Sequence, residues 1–265
     1  MADSIYKIKK DIVEICRRVY ERGYVAANDG NVSAKLDEDH FVMTPTGMSK
    51  GFLQTSDLVV VDAEGNQIGG TRKPSSEAKM HLTIYKTRPD IRAIVHAHPP
   101  TATGFAVAKI PLTQCVLPEV IVSVGSVPIA EYATPGTQAL GDVVSKYLKD
   151  YDALLLENHG AITAGHSVEN AHFKMETMEH FAKIIFVAYQ LGTVNALNQN
   201  QVEELMQLRK RLGIRSDAPV CDISCAINQN KPATDSGAEP ASEEKKTDSK
   251  IIEAVTTEVL NQLKK

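Results

Sequence analysis

Two short apolar runs constrain this chain more than any other feature. Ile91-Arg92-Ala93-Ile94-Val95-His96-Ala97-His98 reads as a buried strand that meets Pro99-Pro100. Ala153–Leu156 reads as a second compact strand, running into Glu157-Asn158-His159-Gly160. Both strands end in histidine. Around them, helical patterns alternate with further strands. Ile5, Ile8, Ile12, Ile15 and Val19 keep helical spacing over Ser4 to Tyr20, and Gly23 reads as the stop. Strand-like runs follow around Val32–Leu36 and His40–Met43, and Leu58–Asp62 and Asn66–Ile68 flank Ala63-Glu64-Gly65 as a hairpin. Pro74-Ser75-Ser76-Glu77 reads as a helix start with a hydroxyl N-cap, leading into Met80, Leu82, Ile84 and Tyr85. Val127–Ala130 reads as a short strand, and Thr134-Pro135-Gly136 as the opening of a helix through Leu148. Ser167 caps a long helix to about Leu191, and another helix covers roughly Gln201–Leu212. Interleaving of this kind predicts an α/β or α+β fold with helices packed on a central sheet. Periodicity leaves the sheet open to parallel or antiparallel pairing.

At 265 residues the chain suits one large domain, or one domain and an appendage. The composition turns after about Ile227. Residues 228–250 lack large apolar side chains, so 227–250 reads as a disordered linker, which leaves 1–226 as the main domain. Hydrophobicity returns over 251–265, where Ile252, Val255, Val259 and Leu263 share one helical face. A short amphipathic helix on a tether cannot bury that face alone and is expected to dock onto something. A net charge of -4 points away from nucleic acid. No apolar stretch approaches the roughly 20 residues that span a bilayer, and the N-terminus lacks a secretory core. Cys16, Cys115, Cys221 and Cys225 show no disulfide-framework pattern, which fits a reducing cytoplasm. Cys221 and Cys225 are close together but lack a partner His or Cys for a metal site.

The chemistry gathers at the histidines. On a strand, His96 and His98 project to the same face, and His159 at the end of a second strand supplies a third imidazole. Three protein ligands with one open position are the pattern of a catalytic zinc site, although each histidine alone also reads as a surface or turn residue. Glu77 adds a carboxylate at a helix start, where simple capping is the plain alternative. His81, four residues on along the same helical face, offers a rival ligand pair with Glu77, but reads rather as a packing or supporting residue. Gly30-Asn31-Val32-Ser33, Thr44-Pro45-Thr46-Gly47 and Ser75-Ser76 offer hydroxyl and amide donors for an anion, with no Arg or Lys clamp among them. Each taken singly reads as an ordinary turn.

Taken in order, Gly-Asn-x-Ser, Thr-Pro-Thr-Gly, Pro-Ser-Ser-Glu, His-x-His, Tyr132–Thr137 and Asn-His-Gly resemble the class II aldolase/adducin family, in particular its sugar-phosphate aldolases. The resemblance runs from about Ser4 to Leu212. It implies a three-layer α/β fold, with a mainly antiparallel sheet between helices, and a homotetramer with its sites between subunits. It also implies one Zn2+ per subunit on His96, His98 and His159, with Glu77 as fourth ligand and then as general base. Asn31, Ser33, Thr46, Gly47, Ser75 and Ser76 would hold the phosphate of dihydroxyacetone phosphate. The implied reaction is reversible aldol cleavage of a phosphorylated ketose such as L-fuculose 1-phosphate, releasing L-lactaldehyde.

The family's aldolases place a tyrosine between His-x-His and Tyr-Ala-Thr. Residues 111–131 contain none here, and Glu119 is the candidate substitute. The tail resembles the encapsulation peptides of enzymes packed in bacterial microcompartments, which implies a cytoplasmic enzyme in a compartment lumen, with a shell protein as partner of 251–265. Pentulose-5-phosphate 4-epimerases and methylthioribulose-phosphate dehydratases share the scaffold and are the rival enzymes. A non-catalytic adducin-like interaction module is the rival of another class.

Overall fold

The structure, a computed structural model, describes residues 2–215 and 218–221. The sequence-based linker at 227–250, the amphipathic segment 251–265 and Cys225 lie outside the described residues.

Eight strands form one sheet in the order β4-β3-β2-β1-β5-β8-β7-β6. They are β1 (Asn31–Lys35), β2 (His40–Met43), β3 (Val59–Asp62), β4 (Gln67–Gly69), β5 (Ala93–Ala97), β6 (Ile129–Ala130), β7 (Ala153–Leu156) and β8 (Gly160–Gly165). All neighbours run antiparallel except β6 and β7, so the sheet is mixed and mainly antiparallel. Alternation of side chains divides the core into two layers. One face buries Val32, Ala34, Val95 and Leu155 under helices α1 (Ala2–Glu21), α3 (Pro100–Val107), α4 (Pro118–Ser123) and α6 (Val168–Gln190). The other buries Met43, Ile94, Leu154 and Ile162 under α2 (Ala78–Thr87) and α5 (Gln138–Leu148). Helices on both faces make the three-layer α/β architecture.

Several local expectations need correction. Pro135 and Gly136 precede α5, because Gly136 sits at φ +77 and Thr137 is the N-cap. The strand expected from Val127 shortens to Ile129–Ala130, since Pro128 has no N–H to donate to a ladder. Pro99-Pro100 does not merely stop β5: Pro100 starts α3, at a position where its missing N–H costs nothing. Asn158-His159-Gly160 opens another strand, β8, which local sequence patterns do not announce. No hydroxyl side chain caps α2, where Glu77 itself occupies the N-cap position. The cysteines also pair against expectation. Cys115 and Cys221 form a disulfide, with Cα atoms 5.4 Å apart, which fixes the segment 218–221 beside α4. The last described helix, α7 (Gln199–Arg211), packs on α4.

Candidate active site

The histidine cluster follows from strand register. Val95 and Ala97 point into the α1/α6 core, so His96 must point to the α2 face. Asn31 lies directly opposite His96 across β1 and β5, and Ser33 lies opposite Ile94, so both share that face. His98 follows the end of β5, its backbone N–H donating to the Tyr24 carbonyl at 2.8 Å. His159 closes the three-residue loop between Leu156 and Gly160, which are paired across β7 and β8. Asn158 takes φ +53 there, a left-handed conformation that asparagine tolerates. Gly160 has no room for a side chain: a Cβ would lie 2.5 Å from His98 Cδ2 and 2.7 Å from the Ala97 carbonyl.

The three rings face one another with ligand atoms all within 4.8 Å. His96 is 1% exposed, and its Nδ1 lies 2.9 Å from the Ala161 carbonyl, which can only accept. In the neutral ring Nε2 therefore carries a lone pair. That lone pair lies 3.2 Å from His98 Nε2 and 3.2 Å from Glu77 Oε2. His159 Nε2 lies 3.5 Å from Glu77 Oε1, a buried oxygen with no hydrogen-bond partner. Asn31 Nδ2 donates to Glu77 Oε2 at 2.7 Å and holds the carboxylate in place.

Electron-rich atoms converging on one point are the donor set a divalent cation takes, so these four residues fit a metal. The electrostatics divide the cluster: the Glu77 carboxylate raises His96 in spite of its burial, while the other two rings go down. Burial, aided by the charge of His96, pushes His98 and His159 down to about 4 and so favours the neutral, ligating form. Burial alone would raise Glu77, but the His96 and His159 rings beside it and the Asn31 hydrogen bond hold it far below the usual carboxylate range. A member of the cluster that the sequence did not reveal is the Ala161 carbonyl, which only the β5–β8 pairing brings to His96. Asp29 is another: its Oδ2 lies 3.6 Å from His98 Nδ1.

Of the residues expected to hold an anion, Thr46, Gly47 and Ser76 are exposed, and Ser75 is half-buried. Their two segments are stitched side by side. Pro45 and Pro74 form an isolated bridge, Thr46 N–H donates to the Lys73 carbonyl, and Ser75 N–H donates to the Thr44 carbonyl. Gly136 abuts this edge, where a Cβ would lie 3.3 Å from the Ser76 carbonyl. Ser33 is a correction. It is fully buried, with its hydroxyl 2.6 Å from His81 Nδ1 and 2.8 Å from Tyr85 Oη, so it props α2 against β1 and does not face solvent. His81 thus braces α2 against β1 through Ser33. Glu119 lies exposed on the first turn of α4, outside this cluster.

Comparison with known proteins shows the family of the chain. The family profile "Class II Aldolase and Adducin N-terminal domain" matches residues 10–186. An L-fuculose phosphate aldolase of Methanococcus maripaludis is 36% identical over 181 residues, which is 68% of this chain and 97% of that protein. A 3-oxo-tetronate 4-phosphate decarboxylase of Haemophilus influenzae is 35% identical over 205 residues, covering 74% of this chain and 95% of that one. Among solved structures, an L-fuculose 1-phosphate aldolase superposes with a TM-score of 0.71 at 33% identity, covering 77% of this chain and 96% of its own. The chain belongs to the class II aldolase/adducin family, as a metal-dependent carbon–carbon lyase.

Proposed function

We propose that the protein is a zinc-dependent aldolase cleaving a phosphorylated ketose of the L-fuculose 1-phosphate type to dihydroxyacetone phosphate and L-lactaldehyde. The observation that carries this reading is Glu77, a carboxylate in ligand reach of His96 and His159 with one buried oxygen unpartnered. When bound, a divalent zinc ion would polarise a carbonyl oxygen and act as the electron sink of the reaction. His96, His98, His159 and Glu77 are the residues proposed to hold it. Glu77 exchanges a proton with the substrate carbon that becomes the hydroxymethyl group: it removes that proton in condensation and returns it in cleavage. Asn31 keeps the carboxylate aimed through its 2.7 Å hydrogen bond. Thr46, Gly47, Ser75 and Ser76 are proposed to hold the substrate phosphate with neutral donors, joined by Asn31 at the inner edge.

Decarboxylation of a 3-oxo acid phosphate is the second reading, favoured by relatives such as the Haemophilus influenzae protein. Both reactions break a carbon–carbon bond beside a carbonyl and leave a carbon for Glu77 to protonate. Incubation with L-fuculose 1-phosphate, L-rhamnulose 1-phosphate, L-ribulose 5-phosphate and 3-oxo-tetronate 4-phosphate separates them. Dihydroxyacetone phosphate with an aldehyde is the expected product. Carbon dioxide with dihydroxyacetone phosphate and no aldehyde would establish the decarboxylase, and epimerised sugar alone would end both lyase readings.

The working assembly is proposed to be a homotetramer with sites between subunits, inside a microcompartment in the bacterial cytoplasm. The support for compartment targeting is the amphipathic pattern of 251–265. Deleting 250–265 is expected to leave turnover unchanged and to abolish co-purification with shells. Retained co-purification would remove that role from the segment.

A further inference from the structure

The candidate anion cradle contains no Arg or Lys of its own, yet a cation is built in behind it. Lys50 opens the 3-10 turn Lys50–Phe52 and is only 2% exposed. Its Nζ donates to the Met48 carbonyl at 2.6 Å and to the Asn28 carbonyl at 2.9 Å. Those two carbonyls belong to the two segments that flank the cradle: Asn28 stands two residues before Gly30-Asn31, and Met48 follows Thr46-Gly47 directly. Among the described residues no carboxylate forms an ion pair with this ammonium. Burial lowers the ammonium from its ordinary value, with Asp29 acting the other way, and burial pushes the neighbouring Cys16 thiol up to about 12, so Cys16 is neutral. A buried ammonium held only by carbonyl dipoles is costly unless an anion offsets it.

We propose that Lys50 is the positioning cation of the phosphate cradle. It draws the Asn28 and Met48 carbonyls inward, which ties the two loops together beside the Thr46 hydroxyl and the Gly47 N–H that would meet the anion. Its charge complements the phosphate dianion from beneath. Gly47, at φ +72, has nothing within 4 Å of the place a Cβ would take, so the backbone stays open on the solvent side of the same loop. This inference rests on the phosphate-cradle reading above, and not on which ketose is the substrate.

The test uses the full, metal-loaded chain, with inorganic phosphate as the probe in calorimetric titration and the best phosphorylated substrate in kinetics. Lys50→Met is expected to weaken phosphate binding about tenfold or more and to raise KM by a similar factor, with kcat within about threefold of the wild type. Lys50→Gln, which keeps donors for the carbonyls but no charge, is expected to lose phosphate affinity likewise and serves if Lys50→Met fails to fold. Lys50→Arg is expected to retain binding. The inference is overturned if either neutral variant, folded and metal-loaded, binds phosphate like the wild type, or if the defect lies in kcat alone. A wild-type protein that binds no phosphate would overturn the cradle with it. The lyase reading is judged separately by product analysis.

Discussion

At the scale of the residue, the cluster is held by constraints that single substitutions can probe. Gly160 is one, because His98 and the Ala97 carbonyl occupy the space a Cβ needs. Gly160→Ala is expected to displace His98, lowering metal affinity about tenfold or more and stability by about 1–3 kcal/mol. Metal content after dialysis and a urea midpoint would read both, and an alanine variant that keeps full metal would show that the loop has slack. His81 offers a different probe. Burial, with the His96 charge acting the same way, pushes its ring down to about 3. Stability drawn from a neutral buried ring is whole above the unfolded value of about 6.5 and is lost as pH falls towards the folded value. The metal-free protein is therefore expected to lose denaturation midpoint steadily between pH 6.5 and 4. His96 works in the opposite sense, since Glu77 outweighs burial and raises it. Replacing His81 with Gln should flatten the His81 share of the slope, and an unchanged profile in that variant would assign the acid sensitivity elsewhere.

At the scale of the element, α2 is fixed at both ends. Its N-terminus presents Glu77 to the cluster. Its far end is held by Arg88, which donates to the Leu148 carbonyl and pairs with Asp90 and Asp152. Asp152 also takes Lys174 at 2.7 Å. Burial would raise the Asp152 carboxyl, but Lys174 and Arg88 hold it below its usual range. Asp152→Ala strands buried positive charge and is expected to cost about 3–5 kcal/mol. Metal content should be unchanged, because Asp152 precedes β7 and His159 follows it, at opposite ends of the strand. A variant of wild-type midpoint would show that solvent reaches these cations. Elements with strong patterns were legible in the sequence: β2, β7 and the Ser167-capped α6 emerge where periodicity and capping place them. So was the shared face of His96 with its neighbours, which needs only the two-residue repeat. Short α3 and α4 were hidden because each starts at a proline that reads equally as a stop. The β8 strand was hidden because its six residues, Gly160–Gly165, are small apart from Ile162 and carry little alternation. Ser33 was misjudged, and Lys50 passed over, for one reason. Their roles depend on what lies across the sheet or loop from them, which no local window contains.

At the scale of the whole molecule, one covalent link reaches across most of the second half of the chain. The Cys115–Cys221 bond joins residues 106 apart and sits beside Ile121, Val202 and Val220. Cys221→Ser is expected to lower stability by about 2–4 kcal/mol under oxidising conditions, read as a fall in denaturation midpoint with metal content unchanged. The same midpoint with and without reductant would show that the bond adds nothing to packing. The bond also has a mechanical consequence. Tension applied to the chain beyond Cys221 passes directly across to Cys115 and continues towards the N-terminus. The 105 intervening residues, β7, β8 and His159 among them, are short-circuited and bear none of that force. With the pair oxidised, a load on the C-terminal end meets a bolted anchorage. With the pair reduced, the same load would begin to unzip the molecule at 218–221 and work inward through α7.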